Sequence, residues 1–211
     1  MPSKKNIIVG AASIYIGPSG TDRPAVSGTT SYRTTMAGAN GSTATGVGTL
    51  VTNWRDVGYT QDGFEVSNDP SYTDIPVDQL LDAAKIIQDG MGVSLSTSLA
   101  EATLENLLVA WGQAATTLTS NATSKTFEMD AGALGAAPIE RGLIAIGNGP
   151  EKDGASNVPT ERTYHAYRVL SVESSSHTLA RADATILPVT FRALPNDAGK
   201  YGIIRDRLDV A

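Results

Sequence analysis

The order of apolar and polar positions along the chain reads mainly as strand. Residues 91–99 show the pattern best: Met91, Val93, Leu95, Thr97 and Leu99 alternate with Gly92, Ser94, Ser96 and Ser98. A period of two places one face in a core and leaves the other small and hydroxylated. Phe64 and Val66 alternate with Glu65, and Ile75 and Val77 with Asp74, Pro76 and Asp78. Asp69–Pro70 is expected to break the first of these strands, and the prolines imply an edge, a bulge or a bend. Leu187, Val189 and Phe191 face one way while Pro188, Thr190 and Arg192 face the other. Further strands are expected over 7–16, 54–60, 125–130, 141–147, 163–172, 180–193 and 201–204, separated by Gly-, Ser-, Asn- and Pro-rich turns.

One segment departs from this period. Leu104, Leu107, Leu108 and Trp111 fall at i, i+3, i+4 and i+7, which predicts an amphipathic helix over 100–111 packed on a sheet. Ser98 and Glu101 have capping-box spacing, and Gly112 is placed to end the helix. The expected fold is mainly β (α+β): an antiparallel β-sandwich or barrel of about eight strands with one flanking α-helix. A single domain spans 1–211, with 17–53 set apart as a flexible arm or loop insertion. In 27–53, 16 of 27 residues are Gly, Ser or Thr and Arg33 is the only charge. Such a stretch has little to bury, although its Thr and Val content keeps a hairpin possible.

Composition narrows the chemistry. With 41% hydrophobic and 18% charged residues the chain is too apolar for a disordered protein. The absence of cysteine excludes a disulfide framework, a thiolate metal site and a cysteine nucleophile. No apolar run is long enough for a membrane helix. Lys4 and Lys5 before the apolar run 7–16 have the shape of a leader, but Gly10 and Ser13 interrupt it and a first strand fits better. The net charge is -6, and residues 56–105 hold ten Asp or Glu against the single base Lys85. That concentration predicts one electronegative face, and the basic footprint of a protein that grips nucleic acid is missing.

Catalytic patterns are missing too. His165 sits mid-strand and His177 in a serine-rich turn; no G-x-S-x-G elbow accompanies them, and neither has the i, i+4 partner of a zinc helix. The ten clustered carboxylates contain no distinguishing pair for glycoside hydrolysis and no EF-hand order. Gly147-x-Gly149 runs into Pro150 and not into a helix, so it is no phosphate cradle. Asn40-Gly-Ser42 and Asn121-Ala-Thr123 match a glycosylation sequon, which matters only in a secretory pathway. No catalytic residue, cofactor or metal is expected, and the chain reads as a non-enzyme.

Two stretches carry a resemblance. "WRDVGYTQDGFEVS" (Trp54–Ser67) with "IPVDQLLDAAKIIQDGMGVSLSTSLAEATLENLLVAWG" (Ile75–Gly112), and the later "ILPVTFRALPNDAGKYGIIRD" (Ile186–Asp206), are similar to the major tail tube proteins of long-tailed bacteriophages. The resemblance implies a structural virion protein whose copies form rings of six that stack into a hollow tube. DNA would pass through without specific binding, and the tape-measure protein would fill the tube beforehand. Tail-terminator and tail-tip proteins would be further partners. The location would be the phage tail, after synthesis in the host bacterial cytoplasm, with no membrane contact. An acidic lumen would repel phosphates and keep passage free of sticking. On this reading Asp62, Glu65, Asp69, Asp74 and Asp78, with Ser94 and Ser96, are the lumen candidates. Thr43, Thr45, Val47 and Thr49 are the ring-stacking candidates, while Leu104, Leu107, Leu108 and Trp111 pack the helix on the sheet. Two other readings stand beside it: the inner tube of a contractile tail or secretion-type injection system, and a carbohydrate-binding β-sandwich of a phage tail. The last expects an aromatic-lined groove, and the 12 aromatic residues are scattered.

Overall fold

The computed structural model describes residues 8, 10–20, 32, 36, 54–79, 82–151, 159–173, 175–179, 181 and 183–207. The strands are β1 (Ser13–Pro18), β2 (Arg55–Asp56), β3 (Thr60–Ile75), β4 (Lys85–Leu99), β5 (Leu118–Ser120), β6 (Lys125–Phe127), β7 (Arg141–Glu151), β8 (Pro159–Ser171), β9 (Leu187–Ala193) and β10 (Gly202–Arg207). Helix α1 (Leu104–Ala110) follows β4, and a short 3-10 turn (Ala115–Thr117) precedes β5. Among the described residues, eight strands make one antiparallel sheet in the order β2-β1-β7-β8-β9-β4-β3, with β10 on β8; β5 and β6 form a separate ribbon. The expected β-rich architecture with one flanking helix is present, but the sheet stays open and does not close into a barrel.

Strand β8 organises the sheet. Its first half pairs with β7 on one side and β10 on the other, whereas Val169–Ser171 pair with β9. β9 and β10 thus share one edge of β8, and the sheet forks between them. Tyr201 bridges the fork: its hydroxyl donates to Met91 O at 2.6 Å.

The β1/β7 end is buried on both faces. Ile14 and Ile16 of β1, with Leu143 and Ala145 of β7, join the main core under α1 together with Leu95, Leu99, Val169, Leu187, Val189 and Phe191. Tyr15, Ile144 and Ile146 point the other way, into a second cluster with Trp54, Tyr32 and Met36. Tyr32 and Met36 are helical and buried, and the Tyr32 N–H donates to Glu161 Oε2 at 2.7 Å. These two positions lie within the stretch expected to be an arm; Thr43, Thr45, Val47 and Thr49 lie outside the described residues. The continuous apolar runs "IYI" and "LIAI" record this double burial, since alternation disappears when both faces are covered.

Trp54 needs room on this second face. Gly17 and Gly142 are register partners on β1 and β7. A Cβ on Gly17 would fall 2.5 Å from the Trp54 ring, and one on Gly142 would fall 2.4 Å from Pro18 O and 2.9 Å from the indole. The paired glycines form a flat slot, and the indole lies across it.

Three local expectations are corrected. The helix begins at Leu104 and ends at Ala110, not over 100–111, because its N-cap is Thr103 and not Ser98. Ser98 is still in β4, and the Thr103 hydroxyl accepts from Asn106 N at 3.2 Å. Glu101 caps nothing; its Oε1 accepts from Tyr59 N at 3.0 Å. Gly112 does follow the helix end, its N–H bonded to Val109 O. Second, Asp69–Pro70 does not break a strand, and 54–60 is not one strand: β3 runs unbroken from Thr60 through Pro70 to Ile75. It is the outermost strand, and an edge tolerates a residue without an N–H. Third, the first strand starts at Ser13, not at residue 7, and β9 starts at Leu187, not at residue 180.

Gly142→Ala is expected to destabilise the protein by about 1–3 kcal/mol, since the methyl must displace Pro18 or the indole. Gly90→Ala, where the nearest atom would be at an ordinary 3.5 Å, is the control and should leave the urea midpoint nearly unchanged. Equal midpoints for the two variants would contradict the slot.

Candidate lumen and assembly surfaces

The β3–β4 hairpin carries most of the acidic stretch. Residues directly opposite in an antiparallel pair share a face. Register pairs Phe64↔Thr97 and Val66↔Leu95 therefore lie on the core side, and Glu65↔Ser96, Ser67↔Ser94 and Asp69↔Gly92 lie on the other. β9 extends that second face with Pro188, Thr190 and Arg192, paired to Ser98, Ser96 and Ser94. The result is a polar wall of small hydroxyls and exposed carboxylates over a dry core. The sequence candidates Glu65, Asp69, Ser94 and Ser96 come together on it. Arg192 joins them as a cation that the sequence reading did not single out; its place follows from alternation within β9.

The remaining candidates fall elsewhere. Asp62 lies at the irregularity between Gln61 and Phe64, with φ 64°, a conformation that Asp tolerates better than most residues. Asp74 has the parity of Val66 and so projects from the face opposite Glu65 and Asp69. Asp78 is exposed in the turn region beyond β3. A second irregularity leaves Asp89 as an extra residue, where it accepts from Ser71 Oγ at 2.5 Å and Thr73 Oγ1 at 2.6 Å. These hydroxyls hold its carboxyl below the usual range.

From Pro70 and Met91 outward the hairpin leaves the body of the protein. Tyr72, Ile75, Ile86, Ile87 and Met91 are all exposed there. A two-stranded ribbon with apolar side chains on water is marginal by itself and gains from a neighbour.

The helix–sheet contact is rotated from its expected stripe. Leu108 is buried with Val109 and Ala110, Leu107 and Trp111 are partly buried against the core, and Leu104 is half-buried outside that cluster. The residue that locks the helix is Asn106, fully buried: its Nδ2 donates to Val57 O and Glu101 O, both at 2.8 Å. A polar residue inside an apolar stripe gives no sequence signal of its own.

Near α1 lies a polar hollow lined by Asp56, Gly58, Tyr59, Thr60 and Glu101. Burial pushes the Asp56 carboxyl up, against the Gly58 N–H bond, and Glu101 adds to the rise. Burial lowers the Arg55 guanidinium, with Glu105, Asp56 and Glu101 opposing. Three carboxylates thus surround one cation at the helix start, and Lys125 pairs with Glu105 at 2.6 Å. The histidines serve packing: His165 is edge-on to Trp54 and Tyr167, and His177 lies against Trp111. Among the described residues no group of three His, Asp or Glu could hold a metal ion.

An open sheet with free edges, a polar wall and an exposed ribbon is a part built for neighbours. A family model described as phage tail tube protein matches residues 1–204. The chain belongs to that family. No curated protein matches it. Membership makes it a structural component of the phage tail that assembles into a tube with other tail components. A structural family of this kind has a non-enzymatic role. Among the described residues no helix is long and apolar enough to cross a membrane.

Strand β10 is fastened to β8 by a two-point ion pair. Arg162 Nε and Nη2 donate to the Asp206 carboxylate at 2.5 and 2.6 Å, which lowers the Asp206 pKa from 3.8. A carboxylate lowered in the folded state stabilises it above the unfolded pKa, and that contribution is lost as pH falls through the folded value. Amide protection over 202–207, corrected for intrinsic exchange, should therefore hold above the ordinary 3.8 and decline below it. Asp206→Asn should remove this dependence while shifting global stability by less than about 1 kcal/mol, as for other exposed pairs. Unchanged pH dependence in that variant would assign it to other groups.

Proposed function

We propose that this tail tube protein forms rings of six that stack into the tube, with the polar wall of β3, β4 and β9 facing the channel. Family membership over 1–204 carries the reading. The grouping of Glu65, Asp69, Ser94 and Ser96 on one face supports the choice of wall. Exposed carboxylates repel phosphates, and Glu65 and Asp69 outnumber the one cation, Arg192, among the residues grouped on this wall. Asp62 stands at the edge of this wall, while Asp74 and Asp78 serve the ribbon. The ribbon and the free edges of the open sheet meet neighbouring copies, because edge strands are satisfied when the sheet continues across subunits. Thr43, Thr45, Val47 and Thr49 are assigned to ring stacking on their strand-forming composition. The tape-measure protein occupies the channel before DNA does, and the terminator and tip proteins close the two ends. Synthesis takes place in the host bacterial cytoplasm, and no catalysis is involved.

Negative-stain electron microscopy over a concentration series, with and without tail tips as seeds, tests the assembly. Hollow tubes with a central channel are expected; a persistent monomer even with seeds would overturn the reading. Glu65→Lys with Asp69→Lys tests the wall. Tubes should still form, whereas DNA delivery should fall steeply and recover partly at high salt. Normal delivery by lysine-bearing tubes would place the wall elsewhere.

A further inference from the structure

The fork in the sheet leaves an apolar groove between β10 and the β3–β4 hairpin. It is lined by Val66, Val93, Tyr164, Tyr201, Ile203 and Ile204, among others, and encloses about 160 Å³. A dry space on the order of 150 Å³ takes one benzene-sized group. Ile204 is 63% exposed and Val66 39%, so the groove opens to the outside. The close approach of β10 shapes it, since a Cβ on Gly202 would fall 2.2 Å from His165 O.

Elsewhere the chain carries a group of matching size. Between β6 and β7 a loop runs over 128–140 without regular structure, apart from one turn. In that turn Ala136 N bonds Ala133 O at 3.0 Å, and Gly135 has φ 80°. Gly at the third position of such a turn leaves Leu134 at the second, pointing outward. Leu134 is 108% exposed and is flanked by alanine and glycine. The loop is braced at both ends. Gln113 Nε2 donates to Asp130 O at 3.0 Å, and Arg168 grips Glu140 at 2.6 and 2.7 Å. Long loops without regular structure are commonly functional, and this one holds its leucine out from a braced base.

Charge says what the two surfaces fit. The loop has Glu128 and Asp130 and no base, its Glu140 being held by Arg168. At the groove, Lys200 and Arg205 are exposed, whereas Arg207 is buried and Asp206 is held by Arg162. An acidic knob and a basic-edged hole on one chain complement each other between copies. We propose that Leu134 of one copy seats in the Val66–Ile204 groove of the next, as the buried anchor of a contact between subunits of the tube. The contact is heterologous: knob and hole are different surfaces, so each copy offers one of each and the series continues. The inference deepens the tail tube reading and rests on it.

The natural absence of cysteine makes the test clean. In the full chain, Leu134→Cys with Ile204→Cys should give, after oxidation of assembled tubes, a reducible ladder of dimers, trimers and higher species. Seated side chains come within the short Cβ separation that a disulfide needs. Either cysteine alone should stop at traces of dimer. Leu134→Ala, at a position buried by nothing in its own chain, should leave folding unchanged and raise the concentration needed for assembly roughly tenfold or more, as for a central interface anchor. Tubes that form normally with Leu134→Ala, and that give no ladder in the double-cysteine protein, would overturn the knob while leaving the tube reading intact. A disulfide confined to the monomer would mean the groove takes its own chain's loop, and would overturn it too. Failure of the wild-type chain to assemble even on tail tips would overturn the tube reading, and this inference with it.

Discussion

The structure depends on how the hydrogen-bonding edge of β8 is divided. One strand cannot give the same edge residues to two partners, so β10 takes Glu161–Ala166 and β9 takes Val169–Ser171. The remaining features follow from that division. β9 leads on to β4 and β3, which swings the hairpin away from β10 and opens the groove between them. Among the described residues β10 keeps one unpaired edge, and so does β3 at the far end of the sheet. A closed barrel would satisfy all these groups within one chain. This fold leaves them available, which is the arrangement a building block needs.

Burial is distributed to match. The β1/β7 end is dry on both faces, with α1 on one side and Trp54, Tyr32 and Met36 on the other. The sheet loses its second cover by β9 and β4, and its core cover beyond Met91. Rigidity is concentrated at one end and adaptable surface at the other. Charges follow the same gradient: carboxylates near α1 have Arg55 and Lys125 beside them, whereas those on the hairpin stand exposed to solvent.

Much of this was legible where a single physical cause acts. Alternation at 91–99 and 187–193 announced strands with one dry face, and the register puts the dry faces together. The acidic wall was legible as composition and only partly as geometry. Parity within β3 joins Glu65 to Asp69 and separates Asp74, but a strand thought to end at Pro70 offers no parity to count. Helix α1 was placed correctly to within a turn, yet the capping-box spacing of Ser98 and Glu101 misplaces the cap, because the sequence does not show that β4 holds Ser98. Asn106 and the Gly17–Gly142 slot left no local signal, since each has meaning only through a partner remote in the chain. Tyr32 was hidden by its surroundings: one aromatic in a Gly, Ser and Thr run reads as an exception, although it is buried in the cluster with Tyr15, Ile144 and Ile146.

The pairing pattern also sets an order of events during synthesis. β3 and β4 are neighbours in sequence and can zip as soon as both have emerged. β1 must wait for β7, and Tyr32 finds its acceptor on Glu161 only 129 residues later. Closing loops of that length is slow, and the core cannot form before the last third of the chain is available. Until then the early half is exposed to every other nascent copy, each carrying identical edges. A ribbon rich in carboxylates, with a proline in its outer strand, and a preceding stretch poor in apolar side chains keep that half from pairing prematurely. The polarity proposed for the channel wall thus also protects the chain while its interior is still missing.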